Sequence, residues 1–161
     1  MSLPATGAAS ARCRHMIRTA LILAAGFFAF DNLLPQVSPA HGRPLSTLKW
    51  EKRPLLIFAP DAGQADRQWS ILQQSSDGLK DRDMVVLTIT DRVDVRHGPA
   101  PTDLSAAGLR AYYDVPQDRY ESILIGKDGT RKALWRDPVE AVAIFRIVDA
   151  MPMRQREMID D

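Results

Sequence analysis

Leu55-Leu-Ile-Phe-Ala-Pro60, followed at once by Asp61-Ala-Gly-Gln-Ala-Asp66, carries the chain from a strand into a helix. Leu55 to Phe58 are apolar without alternation, the pattern of a strand covered on both faces. After the turn, Ala65, Trp69 and Leu72 recur at i, i+4 and i+7, which gives a helix over about Gln64 to Gln74 one apolar stripe. Two further runs, Met84-Val-Val-Leu-Thr-Ile89 and Ser122-Ile-Leu-Ile125, read as buried strands for the same reason. A fourth, Arg131-Lys-Ala-Leu-Trp135, is joined to the third through Lys127-Asp-Gly-Thr130. Asp128-Gly129 suits a tight hairpin, because glycine adopts positive φ without strain.

Helices fill the remaining gaps. Thr102/Asp103 offers an N-cap for a helix running to Tyr113, with Leu104, Gly108, Ala111 and Tyr112 inward and Val115-Pro116 ending it. Pro138 suits the first turn of a last helix, where its missing N–H costs nothing. Val139, Val142, Phe145 and Val148 carry that helix to Ala150, and Pro152 stops it. Segments 41–53 and 91–101 read as loops. The order is strand–helix–strand–helix–strand–strand–helix, so a right-handed crossover joins a parallel pair and the hairpin adds an antiparallel edge. The fold class is therefore α/β: a thioredoxin-like three-layer α/β/α sandwich with a mixed four-stranded sheet and a C-terminal antiparallel hairpin.

The first forty residues have a different composition. Arg12, Arg14, His15 and Arg18 precede the twelve residues Thr19 to Phe30, which are followed by Leu33-Leu-Pro-Gln-Val-Ser-Pro-Ala40. This is the layout of a secretory signal, with Ser38 and Ala40 as the small residues at a cut after Ala40. An uncleaved anchor in the inner membrane is the rival reading, but a spanning helix needs about 20 apolar residues and only twelve lie between Arg18 and Asp31, which favours a signal. The expected domains are residues 1–40 as signal or anchor and 41–161 as one folded body. The expected location is periplasmic or secreted. Residues 41–161 hold 18 Lys+Arg against 19 Asp+Glu, a balance without the basic excess of a nucleic-acid binder.

The single cysteine, Cys13, lies in the leading segment. In redox proteins of thioredoxin type, a Cys-x-x-Cys pair stands where the first strand turns into the first helix, and the helix N-terminus lowers the thiol pKa. Here that turn holds Asp61 and Asp66 and no Cys, Ser or Thr. The proline expected before the third strand would fall near Glu121 and is absent. Thiol chemistry is thus excluded for the body, and Asp61 or Asp66 reads first as a helix cap. His97 lies in sequence among Asp91, Arg92, Asp94 and Arg96, either a solvated charged loop or a proton-shuttling or anion-binding site. No two histidines have metal-ligand spacing, and no metal or cofactor is expected. Gly126-Lys-Asp-Gly129 lacks the upstream glycine and the Ser/Thr of a phosphate loop.

Beyond the last helix, Asp149-Ala-Met-Pro-Met-Arg-Gln-Arg-Glu-Met158 has two readings. Met151 and Met153 either pack back on the domain or form a docking surface, with Arg154 and Arg156 as carboxylate donors.

These tail residues, with Leu55-Leu-Ile-Phe-Ala-Pro60, Leu124-Ile-Gly-Lys-Asp-Gly129 and Asp137-Pro-Val139, resemble a family of exported bacterial proteins known as a domain of unknown function, DUF4174. The resemblance covers residues 45–158 and extends to domains of animal extracellular-matrix proteins that carry sushi repeats or coiled coils. It implies a thioredoxin-like or peroxiredoxin-like fold without redox cysteines and supplies no catalytic residues. The expected function is a non-redox module that binds a protein partner or serves adhesion, with Asp61, Asp66, His97, Arg154 and Arg156 as candidate contacts. The alternative is a cysteine-independent enzyme using Asp61, Asp66 or His97 at the first strand–helix turn.

Overall fold

The computed structural model describes residues 44–102 and 104–160. The expectations for the leading segment, Cys13, His41 and Asp103 fall outside them. After a 3-10 turn at Ser46–Leu48 come strand β1 (Arg53–Phe58), helices α1 (Ala62–Leu72) and α2 (Ser76–Asp81), strands β2 (Met84–Ile89) and β3 (Val93–His97), and helix α3 (Ala106–Tyr113). Strands β4 (Glu121–Ile125) and β5 (Arg131–Trp135) and helices α4 (Ala141–Asp149) and α5 (Pro152–Asp160) complete the chain. The result is a mixed α/β fold around one five-stranded sheet in the order β3-β2-β1-β4-β5. β1 and β2 are parallel and in register from Arg53↔Met84 to Phe58↔Ile89. The pairs β1–β4, β2–β3 and β4–β5 are antiparallel.

Every residue of β1, β2 and β4 is buried, as their unbroken apolar runs require. Because successive side chains point to opposite faces, each run feeds two cores. On one face Leu55, Ile57, Met84, Val86 and Leu124 pack with Leu72 of α1, Leu79 of α2, and Ile144 and Val148 of α4. On the other, Leu56, Phe58, Val85, Leu87, Ile123 and Ile125 meet Ala106 and Leu109 of α3 and Leu45 and Leu48 of the leading turn. Each fully buried large aliphatic side chain contributes about 1.5–3 kcal/mol. With no cysteine in residues 44–160, these two layers replace a disulfide as the source of stability.

The hairpin forms where Asp128-Gly129 predicted it. Gly129 has φ +77, and Asp128 Oδ1 accepts from the Thr130 N–H at 3.1 Å. Elsewhere the elements differ from the sequence reading. The sheet has five strands rather than four, because segment 91–101 is not all loop: Val93–His97 pairs with β2 across a bulge at Val86/Leu87. Backbone pairing, not apolar burial, holds this edge strand, and its charges blunt the free edge. Helix α3 begins later than expected, with Ser105 Oγ as N-cap accepting from the Gly108 N–H. That shift rotates its inward stripe to Ala106, Leu109 and Arg110 and leaves Tyr112 52% exposed. The first helix is followed by a separate α2, and α4 starts at Ala141, so Pro138 precedes it.

Pro152 ends one helix and opens another. At the first helical position its missing N–H is no loss, and α5 continues from it to Asp160.

Candidate functional site

At the C-terminal ends of β1 and β2 the chain makes the turn where a redox pair would stand. Asp61 caps α1: the Gln64 backbone N–H donates to Oδ1 at 2.9 Å and the Gln64 side chain to Oδ2 at 3.0 Å. These bonds hold its carboxyl below the ordinary range. One turn on, Asp66 accepts from Arg96 Nη2 at 2.6 Å. Both aspartates line a polar cleft of about 370 Å³ together with Thr90, Asp91, Arg92, Asp94 and Arg96. Arg92 Nε donates to both Asp94 oxygens at 3.0 Å, and the Thr90 hydroxyl donates to Asp91 at 2.9 Å, which lowers the Asp91 pKa.

Beneath the cleft sits Arg110, 7% exposed. Its Nη2 donates to the Ala59 and Ile89 carbonyls at 2.7 and 3.0 Å, and its Nη1 to Pro116 O at 2.8 Å. It thus satisfies the last carbonyls of both parallel strands, and burial lowers its pKa. Sequence reading missed it; an arginine at the stripe position next to Leu109 was the available signal.

The cleft gathers Asp61 and Asp66 but not His97. His97 closes β3 opposite Val86, while the cleft lies at the end where Val93 meets Ile89. Among the described residues His97 has no hydrogen bond to either aspartate, and burial alone lowers its pKa, favouring the neutral ring. Proximity in sequence grouped His97 with Asp91 and Asp94; an extended strand separates them. Each carboxylate here is held ionised or paired, and among the described residues no group of three His, Cys, Asp or Glu could hold a metal ion.

The second candidate region is α5. Arg154, expected as an outward donor, is instead 5% exposed and turned inward. Its Nη1 donates to Asp81 O at 3.0 Å and its Nη2 to the Asp81 carboxylate. One helical turn later Glu157 accepts from Arg53 Nη2 on both oxygens at 3.0 Å and from Lys127 Nζ at 2.7 Å. Arg53 is 1% exposed, so this pair is sheltered from water on the arginine side. Lys127 also donates to Asp83 at 2.9 Å, which takes a second bond from Lys52 at 2.8 Å. Burial pushes the Asp83 and Glu157 carboxyls up, but the donated hydrogen bonds outweigh it and both lie low. Nearby, Arg82 grips Asp149 through two bonds of 2.8 Å and stacks over Phe145 at 4.3 Å.

Arg156 differs from Arg154. It is exposed and has no ion pair or side-chain hydrogen bond among the described residues. It borders a cleft of about 270 Å³ formed with Met151, Pro152, Met153, Lys127 and Lys132. Asp128 in the same wall is bound to Lys132 at 2.7 Å. The uncommitted charge at this mouth is therefore positive, beside two half-buried methionines.

Residues 44–157 match the family described as Domain of unknown function (DUF4174). Two curated relatives from vertebrates share part of the sequence. The chain is 27% identical over 137 residues to Coiled-coil domain-containing protein 80 of Danio rerio, covering 71% of this chain and 15% of that protein. It is 28% identical over 120 residues to Sushi repeat-containing protein SRPX of Homo sapiens, covering 68% of this chain and 25% of that protein. The chain thus spans a quarter or less of the length of these relatives.

Proposed function

We propose, on the footing that this chain belongs to the DUF4174 family, that it is an exported, non-redox, thioredoxin-like module that works by binding a protein partner. The parallel β1–β2 pair, the antiparallel β4–β5 hairpin and the helices on both faces support the thioredoxin-like reading. The basic and apolar leading segment supports export. Among the described residues no helix is long and apolar enough to cross a membrane.

One observation carries the binding reading: among the described residues Arg156 has no partner, two residues after Arg154, whose Nη1 and Nη2 are both bound to Asp81. A helix anchored by ion pairs to the body holds the backbone beside Met151 and Met153 in place, so on docking only the Arg156 side chain itself has to be ordered. The fitting partner offers a carboxylate next to apolar side chains, since arginine matches carboxylate geometry and methionine adapts to irregular apolar shapes. The rival reading, a cysteine-independent enzyme at the first strand–helix turn, has a cleft but no uncommitted acid or base in it.

The test is quantitative capture from periplasmic extract with the full chain and its Arg156→Glu variant. The expected result is a specific protein retained by the first and released by the second, with equal melting temperatures. Identical capture by both, or no specific retention, overturns the reading.

A further inference from the structure

A groove of about 550 Å³, sharing no residue with the α5 cleft, runs between the end of α3 and the β4–β5 hairpin. Its walls include Tyr112, Arg119, Glu121, Arg131 and Arg136. Two unmet demands face each other there.

Glu121 is 4% exposed, yet its carboxylate accepts no hydrogen bond among the described residues. Its neighbours are Arg119 Nη1 at 3.7 Å and Arg136 Nε at 3.6 Å, both reaching the same oxygen. Its oxygens still reach the water of the groove, and loose pairs with exposed guanidiniums hold it only weakly. The two arginine side chains are 52% and 71% exposed. Arg119, Arg136 and Arg131 make no side-chain hydrogen bond among the described residues. The groove, which Asp114 also lines, therefore holds a carboxylate without a close donor, two guanidiniums only loosely paired to it and a third, Arg131, with no anion among the described residues.

We infer that this groove binds a carboxylated oligosaccharide, a chain of uronic-acid sugars. Sugar hydroxyls supply the donors that Glu121 lacks. The uronate carboxylates take the guanidiniums in the two-pronged geometry arginine favours. The half-exposed ring of Tyr112, braced edge-on by Tyr113 at 4.9 Å, offers a flat platform for a sugar ring. Arg131 and Arg136 stand at opposite ends of β5, roughly 16 Å apart at ~3.3 Å per residue, which accommodates more than one sugar. Leu134 is the only aliphatic side chain lining this groove among the described residues. An acidic peptide, which gains specificity from pockets for its alternate side chains, finds few here.

The test is calorimetric titration of the full chain at low salt with tetragalacturonate, the neutral cellotetraose and a tetraglutamate peptide. Saturable binding of tetragalacturonate alone is expected. It should weaken by about tenfold or more in each of Arg136→Ala and Tyr112→Ala, whose exposed side chains leave melting unchanged. Arg156→Glu should leave it intact, which separates this site from the α5 cleft. No saturable binding, equal binding of tetraglutamate or cellotetraose, unchanged affinity in Arg136→Ala and Tyr112→Ala, or loss in Arg156→Glu overturns the inference.

Discussion

Gln68 ties three parts of the molecule together from a position with no solvent exposure. Its Oε1 accepts from the Val139 N–H at 2.7 Å and from the Tyr120 hydroxyl at 2.9 Å, while its Nε2 donates to Val139 O at 2.8 Å. The start of α4 is thereby fastened to α1 through one amide. Replacing it with an apolar residue of similar size strands two backbone groups, each worth about 1–3 kcal/mol when left unpaired in the interior. Gln68→Leu is thus expected to lower unfolding free energy by at least about 2 kcal/mol, read from the urea midpoint at constant slope. Tyr120→Phe leaves both bonds between Gln68 and the Val139 backbone in place, so it should cost less. None of this was legible beforehand: Gln68 sits beside Trp69 in a helix whose stripe was traced by apolar residues alone. Arg110 and Arg53 were passed over, and Arg154 was misread as an outward donor, for the same reason. A buried charge follows no hydropathy period, and only the geometry of its acceptors gives it a place.

At the scale of elements, α5 is the part that sequence reading handled worst. Pro152 was read as a stop, although proline also opens helices. Arg154 and Glu157, one turn apart, both face the body, where Asp81, Arg53 and Lys127 receive them. Of the two expectations for the tail, packing describes Arg154 and Met151, and docking remains for Arg156. Deleting residues 151–161 takes the Glu157 carboxylate from Arg53 and Lys127, the Arg154 guanidinium from Asp81, and Met151 from the core. A lower melting temperature in the truncated chain is the expected readout, and an unchanged one would return α5 to the status of a frayed end.

The same network sets a pH dependence. Asp83 and Glu157 have pKa values below their ordinary ones in the fold. Their stabilisation is therefore complete above the unfolded carboxylate pKa, about 4, and disappears as pH falls through the lower folded values. Asp61, Asp91 and Asp128 are shifted the same way and act in the same direction. Unfolding followed from pH 7 to pH 2 should show stability falling below about pH 4. Lys127→Met, which removes a donor from both Asp83 and Glu157, should make that fall shallower. A fall of equal steepness in the variant would remove Lys127 as its cause.

Across the whole molecule, the features that sequence made legible are those fixed by hydrophobic pattern. Three unbroken runs became the three buried strands, and Asp128-Gly129 became the hairpin turn. The edge strand β3 stayed hidden because its residues pair through the backbone, while its mostly polar or charged side chains are at best half-buried and add no apolar run. The candidate site was legible in its residue types rather than its groupings. Asp61 and Asp66 do share a cleft, His97 lies away from it, and Arg154 and Arg156 part company within one turn. What unites these observations is a body whose first strand–helix turn is closed by a capping carboxylate, leaving its surfaces to do the work. Under the proposed binding function, the sulfur of Cys13, the one cysteine of the chain, is dispensable. Partner capture from periplasmic extract should therefore be compared between the full chain and its Cys13→Ser variant under oxidising and reducing conditions. Equal retention in all four samples is expected; loss of the partner in Cys13→Ser would put a thiol back at the centre of what this protein does.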